Sequence, residues 1–173
     1  MSHHLTKTLR AATAAGLMGS FACLGTATAT ADPTDTLTGA LSKGYTTSNC
    51  SPQPVSEVKD LLPNAVAVLQ CGQNSDSAGP AAAKYFLLPS SADTASAFTK
   101  LIAPDTLANC GDAKSPTVWH QGSSTDSAGQ VACGTYQGEA EVTWTTDAKN
   151  IVSFVRGSNA DVASLYQWWR TNG

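Results

Sequence analysis

The stretch VACGTYQGEAEVTWTTDAKNIVSFVR, residues 131–156, decides the fold. Val131 to Tyr136 and Glu139 to Thr145 alternate apolar and polar residues, and Gln137-Gly138 between them suits a two-residue hairpin turn. In the second strand Ala140, Val142 and Trp144 point one way, and Glu139, Glu141 and Thr143 the other. That alternation predicts a sheet with one covered face and one wet face. Asp147 to Asn150 makes the next turn, and Ile151 to Arg156 the next strand.

Downstream, Ser158-x-x-Asp161 signals a helix start. Val162, Leu165, Tyr166 and Trp169 fall on its apolar face, which leaves Trp168 on the side expected at an edge or partly exposed. Upstream, Thr117 to Gln121 reads as a short strand and Ser123 to Gly129 as a polar loop. Ser90-x-x-Asp93 is a capping-box-like start for a helix with Ala95, Phe98, Leu101 and Ile102 on one face, ended by Pro104. Ala65 to Cys71 and Ala82 to Leu88 read as strands around a Gly72 to Pro80 loop. Val55 to Leu62 suits one or two helical turns, and Tyr45 to Pro54 a loop. Residues 32–36 read as a polar tail, and Thr36 to Lys43 as a helix ending at Gly44. The expected class is α+β: an antiparallel sheet with helices packed mainly on one face and two disulfides.

The chain opens as an export signal. Lys7 and Arg10 give a positive start, Ala11 to Leu24 an apolar run, and Ala29-Thr30-Ala31 a small-residue cleavage pattern. The run is too short and too rich in Gly and Thr to span a bilayer stably. The division expected is residues 1–31 as signal peptide and 32–173 as a single disulfide-stabilised domain, secreted or held in the cell envelope. The rival, a lipoprotein signal using Cys23, is disfavoured by Ser20-Phe21-Ala22 before it.

The part beyond residue 31 has 142 residues, enough to bury its own core. It carries all 13 acidic residues and 8 of the 10 basic ones, a net charge of −5. That charge argues against nucleic acid and anionic membranes as partners. No second apolar run supports membrane insertion after signal cleavage.

Cys50, Cys71, Cys110 and Cys133 remain, an even count in a short exported chain. Of the three possible pairings, Cys50–Cys71 and Cys110–Cys133 are favoured because each closes a local loop of similar length. A faint duplication supports this: Asn49-Cys50 precedes a strand ending Cys71-Gly72, and Asn109-Cys110 a strand ending Cys133-Gly134. Zinc is a poor fit, since no C-x-x-C occurs and His120 is the only histidine after residue 31. No cofactor motif is present, whether phosphate loop, EF-hand or dinucleotide fingerprint.

Catalytic sets are thin. Only His120 offers a histidine base, and no G-x-S-x-G elbow accompanies it. Glu139 and Glu141 are the obvious carboxylate pair, with a solvated sheet face as the plainer reading. Trp119, His120 and Trp168 are candidates for ligand or partner contacts.

Several motifs together carry a resemblance. They are Gly44-Tyr45 ahead of Cys50, Cys71-Gly72, Cys110 with Cys133-Gly134, Trp144-Thr145-Thr146-Asp147, and Leu165-Tyr166-Gln167-Trp168-Trp169. The chain resembles small exported mycobacterial proteins and the extracytoplasmic C-terminal domains of some mycobacterial serine/threonine protein kinases. The resemblance implies an α+β disulfide domain used for sensing or binding, with no catalytic residue to carry over. This chain has neither a kinase domain nor a transmembrane helix. The leading expectation is therefore a non-catalytic, sensor-like binding domain of the cell envelope, for a small molecule, glycan or protein. The alternatives are an envelope-directed hydrolase using carboxylates or His120, and an antigen-like structural or host-facing protein.

Overall fold

The structure is a computed structural model that describes residues 32–173. The expected signal sequence, its expected cleavage site and the rival site at Cys23 lie outside the described residues. Eight antiparallel strands form one sheet: β1 (Cys50–Gln53), β2 (Ala67–Cys71), β3 (Ala82–Leu87), β4 (Thr106–Ala108), β5 (Thr117–His120), β6 (Ser127–Tyr136), β7 (Glu139–Thr146) and β8 (Ile151–Arg156). Their order is β1-β2-β3-β8-β7-β6-β4, with β5 also on β6. The expected α+β fold and both expected disulfides are present: Cys50–Cys71 and Cys110–Cys133.

The 131–156 stretch folds as its pattern dictates. Gln137 and Gly138 both take positive φ, at 53° and 86°, which lets β6 and β7 twist together through a tight hairpin. Asn150, also left-handed at φ 52°, closes the turn from β7 to β8. β6 extends further back than the sequence suggests, beginning at Ser127 within the expected loop. Its first half pairs with β5 and its second half with β4. β4 approaches so closely that a Cβ on Gly134 would lie 2.7 Å from the carbonyl oxygen of Thr106.

The disulfides act at the sheet's two ends. Cys50 and Cys71 are direct cross-strand partners on β1 and β2. Cys110, just after β4, is tied to Cys133 on β6. An edge strand of three or four residues has few ladder bonds to hold it, and the covalent tie supplies what pairing lacks. Both edges escape sequence reading: 50–53 reads as loop, and 106–108 carries no strand signal.

Three helices cover the sheet. α1 (Pro33–Thr38) and α3 (Val162–Asn172) lie on one face, and α2 (Ser91–Ile102) on the other. α1 corrects the expected 36–43 helix and 32–36 tail. Asp32 caps its first turn by accepting from the Thr34 amide, and Pro33 occupies the first helical position, where its missing N–H costs nothing. The α2 cap is as expected, with Ser90 accepting from the Asp93 amide. Phe98 and Leu101 are buried, but Ala97 and Thr94 complete the buried face, and Ala95 is exposed. α3 takes its cap from Asp161, which accepts from the Ser164 amide.

The face under α1 and α3 holds Leu37, Tyr85, Val142, Trp144, Val155, Leu165 and Trp169 in one apolar cluster. The other face is not the wet one the alternation predicts. Thr143 and Glu141 on it are 1% and 4% exposed. Val68, Phe86, Ala132 and Val152 meet Phe98 and Leu101 of α2 there.

Candidate binding cleft

A 12-residue helix is roughly 18 Å long and covers only part of a sheet face. The rest of that face is open. The strand registers align Lys84 with Phe154, Phe154 with Thr143, and Arg156 with Glu141. Of these, Lys84, Phe154, Arg156 and Glu141 floor a cleft of about 480 Å³, with Thr143 buried beneath. Its walls are the end of α2 with Pro104 and Asp105, and the segment around the short 3-10 turn at Val55–Glu57. Val58, Leu61, Phe86, Leu101, Pro104 and Phe154 make most of it apolar.

At one end sits a charged cluster. Glu141 accepts from Arg156 Nε at 3.0 Å and from Nη2 at 2.7 Å, both on Oε2. Its other oxygen, Oε1, accepts from the Thr143 hydroxyl at 3.4 Å. The Arg156 guanidinium lies over the Tyr136 ring at 4.9 Å and near Phe154 at 5.5 Å. Glu139, the neighbour on the same strand face, reaches only 4.0 Å from Arg156 and is half-exposed. The expected Glu139–Glu141 pair is therefore not an open solvated face, because β8 places Arg156 opposite Glu141 and the cleft walls bury the latter.

Asp105 completes the cluster. Its Oδ1 is buried and has no hydrogen-bond partner. Desolvation, with repulsion from Glu141, pushes its carboxyl up to about 7 against the pull of Arg156. Glu141 is also raised, mainly by burial, with the Arg156 bonds opposing. Asp105 was missed in the sequence because it follows Pro104 in what reads as a helix-ending loop. Arg156 was legible in principle: the turn at 147–150 sets Thr146 against Ile151, and counting outward sets Glu141 against Arg156.

The aromatic candidates lie elsewhere. Trp119 and His120 on β5 border a second concavity of about 370 Å³ with Tyr166, Trp169 and Arg170. Trp119 donates its indole N–H to the Thr145 carbonyl at 2.7 Å and meets Trp169 edge-on. His120 is exposed, and its Nδ1 bonds the Asp126 carbonyl at 3.0 Å. No hydrogen bond among the described residues joins it to a serine or a carboxylate.

Trp168 corrects the expectation of an edge position. It is 8% exposed, beside Trp169 at 5%. The two neighbours point apart, yet the core reaches both. Trp169 meets Trp144 over the sheet. Trp168 meets Tyr45 and donates to Asp76 in the loop that folds over the helix flank.

Among the described residues no cluster of His, Cys, Asp and Glu is arranged to hold a metal ion. No helix there is long and apolar enough to cross a membrane. No protein-family model, no curated protein and no solved structure matches the chain.

Proposed function

We propose that this is the binding domain of an exported protein and that it takes a small molecule in the cleft beside α2. The observation that carries this is the half-covered sheet face: an apolar floor left open, ending at a carboxyl with an unpartnered buried oxygen. A volume of about 480 Å³ is of small-ligand size, and apolar lining with a few convergent polar groups is the usual make-up of such sites. A concave site of this kind favours a small molecule over an extended protein or glycan surface. Export is supported by the signal-like first 31 residues and by two disulfides, which persist in oxidising compartments. The motif resemblance to extracytoplasmic kinase domains supports a sensor-like role.

A non-catalytic role is favoured by the state of Glu141. Acid–base hydrolysis by two carboxyls needs both to reach substrate or water. Glu141 is 4% exposed with both oxygens engaged, so the Glu139–Glu141 pair has only Glu139 open to solvent.

The test is a fragment screen on the isotope-labelled domain, read by amide shift changes. Hits that move Leu101, Tyr136 and Phe154 together support the cleft. Hits confined to Trp119, Tyr166 and Trp169, or no hits, reject it.

A further inference from the structure

Resting on that reading of the cleft, we infer that it selects a cationic amphiphile, an alkyl amine whose ammonium group is held by Asp105 and whose chain lies on Phe154 and Leu101.

The charge arrangement at this end favours a cation over an anion. Arg156 is the cation of the cluster, and all of its guanidinium nitrogens but Nη1 are committed. Nε and Nη2 are spent on Glu141, and its faces are taken by Tyr136 and Phe154. Lys100, on the α2 wall, donates its Nζ to the Leu61 carbonyl at 3.2 Å. Lys84 stands on β3, where the cleft opens toward Gln70 and Ala82. Against these stand Asp105 and Glu141 beside Arg156, with Glu57 and Asp60 on the facing wall; Glu139 lies outside the lining, 4.0 Å from Arg156. With every lining group ionised, the four acids Glu57, Asp60, Asp105 and Glu141 exceed the three cations Lys84, Lys100 and Arg156 by one charge.

Burial first, and then repulsion from Glu141, lets the Asp105 carboxyl hold its proton to about pH 7 against the pull of Arg156. Its Oδ1 is an acceptor lacking a donor. Asp105 lines the cleft beside Leu101 and Phe154, and an ammonium ion at its carboxyl supplies a charge-assisted hydrogen bond and the missing positive charge. The apolar floor next to it accepts methylenes, each contributing roughly 0.8 kcal/mol when buried. Binding and deprotonation of Asp105 are then linked. Below pH 7 an entering ammonium displaces the Asp105 proton, so affinity falls as pH falls.

Three probes of equal chain length separate the possibilities: octylammonium, octanoate and 1-octanol, titrated into the folded domain at pH 8 and pH 5.5 with cleft amide shifts as readout. Octylammonium is expected to bind at least tenfold more tightly than the other two at pH 8. It should lose about 30-fold at pH 5.5, the ratio expected for a carboxyl with its midpoint near 7. Asp105→Asn is expected to remove both the preference and the pH dependence while retaining the amide spectrum of the fold. If octanoate or 1-octanol binds the cleft as tightly as the amine, the cationic inference is overturned and the cleft reading stands. If none of the three shifts cleft amides, both fall.

Discussion

Arg156 donates Nε and Nη2 to a single oxygen of Glu141, at 3.0 and 2.7 Å, across the β7–β8 ladder on the floor of the cleft. The pair is asymmetric in its surroundings: the arginine side chain is 28% exposed and the glutamate 4%. Removing the arginine thus strands a buried carboxylate, whereas removing the glutamate frees a cation that can reach water. Arg156→Ala is expected to cost about 3 kcal/mol in urea unfolding at pH 7 and Glu141→Ala less, about 2 kcal/mol. Equal losses would show that the pair is solvated and not part of the cleft's buried end.

Asp105 predicts the pH dependence of stability. Its folded pKa, about 7, lies above the unfolded value near 3.8. Between those values the unfolded chain releases the proton while the folded one keeps it, so the contribution is full below pH 4 and lost as pH rises to 7. Asp105→Asn keeps the shape without the ionisation. The variant and the parent are expected to unfold alike at pH 4, with the variant more stable by about 1–2 kcal/mol at pH 8 after allowance for solvent screening. Urea midpoints at the two pH values measure this, and a variant that gains nothing at pH 8 contradicts it.

Both disulfides close loops of similar span, with separations of 21 and 23 residues. Replacing either pair by alanines is expected to cost about 3 kcal/mol. The local effects should differ. Loss of Cys50–Cys71 releases β1 without touching the cleft. Loss of Cys110–Cys133 loosens the β4 side, where Asp105 sits. Hydrogen exchange after each replacement should show faster exchange at β1 in the first case and at β4 in the second.

Trp168 distinguishes packing from exposure. Its burial against Tyr45 and its bond to Asp76 predict a loss of about 3–4 kcal/mol on Trp168→Ala. Trp168→Phe keeps much of the contact area and should cost roughly half. An edge tryptophan would change stability by less than about 0.5 kcal/mol, so urea unfolding of the two variants decides the matter.

Much of the secondary structure is legible in residues whose local chemistry leaves little choice. The Gln137-Gly138 turn, the alternation through Trp144 and the Ser90 cap act between near neighbours, and each appears where the pattern puts it. The four-residue β1 was not legible. Its identity as strand depends on the partner β2 and the Cys50–Cys71 bond, not on its own Ser-Pro-Gln. Asp32-Pro33 carries a helix start, a capping acid before a proline at the first helical position, within residues that read as a polar tail.

The sequence by itself determined the class of this protein: an antiparallel α+β domain whose paired cysteines close two local loops. Those features follow from side-chain period, turn chemistry and cysteine count, all short-range properties. Only the tertiary structure decided which faces are wet. Alternation separates the two sides of a strand but does not say what packs on each, so Glu139 and Glu141 looked equivalent. Where α2 ends, and how far Pro104 and Asp105 reach over the floor, fixed the difference. Glu141 was sealed against Arg156, Glu139 stayed half in solvent, and Asp105, from a distant loop, was left as the acceptor without a partner.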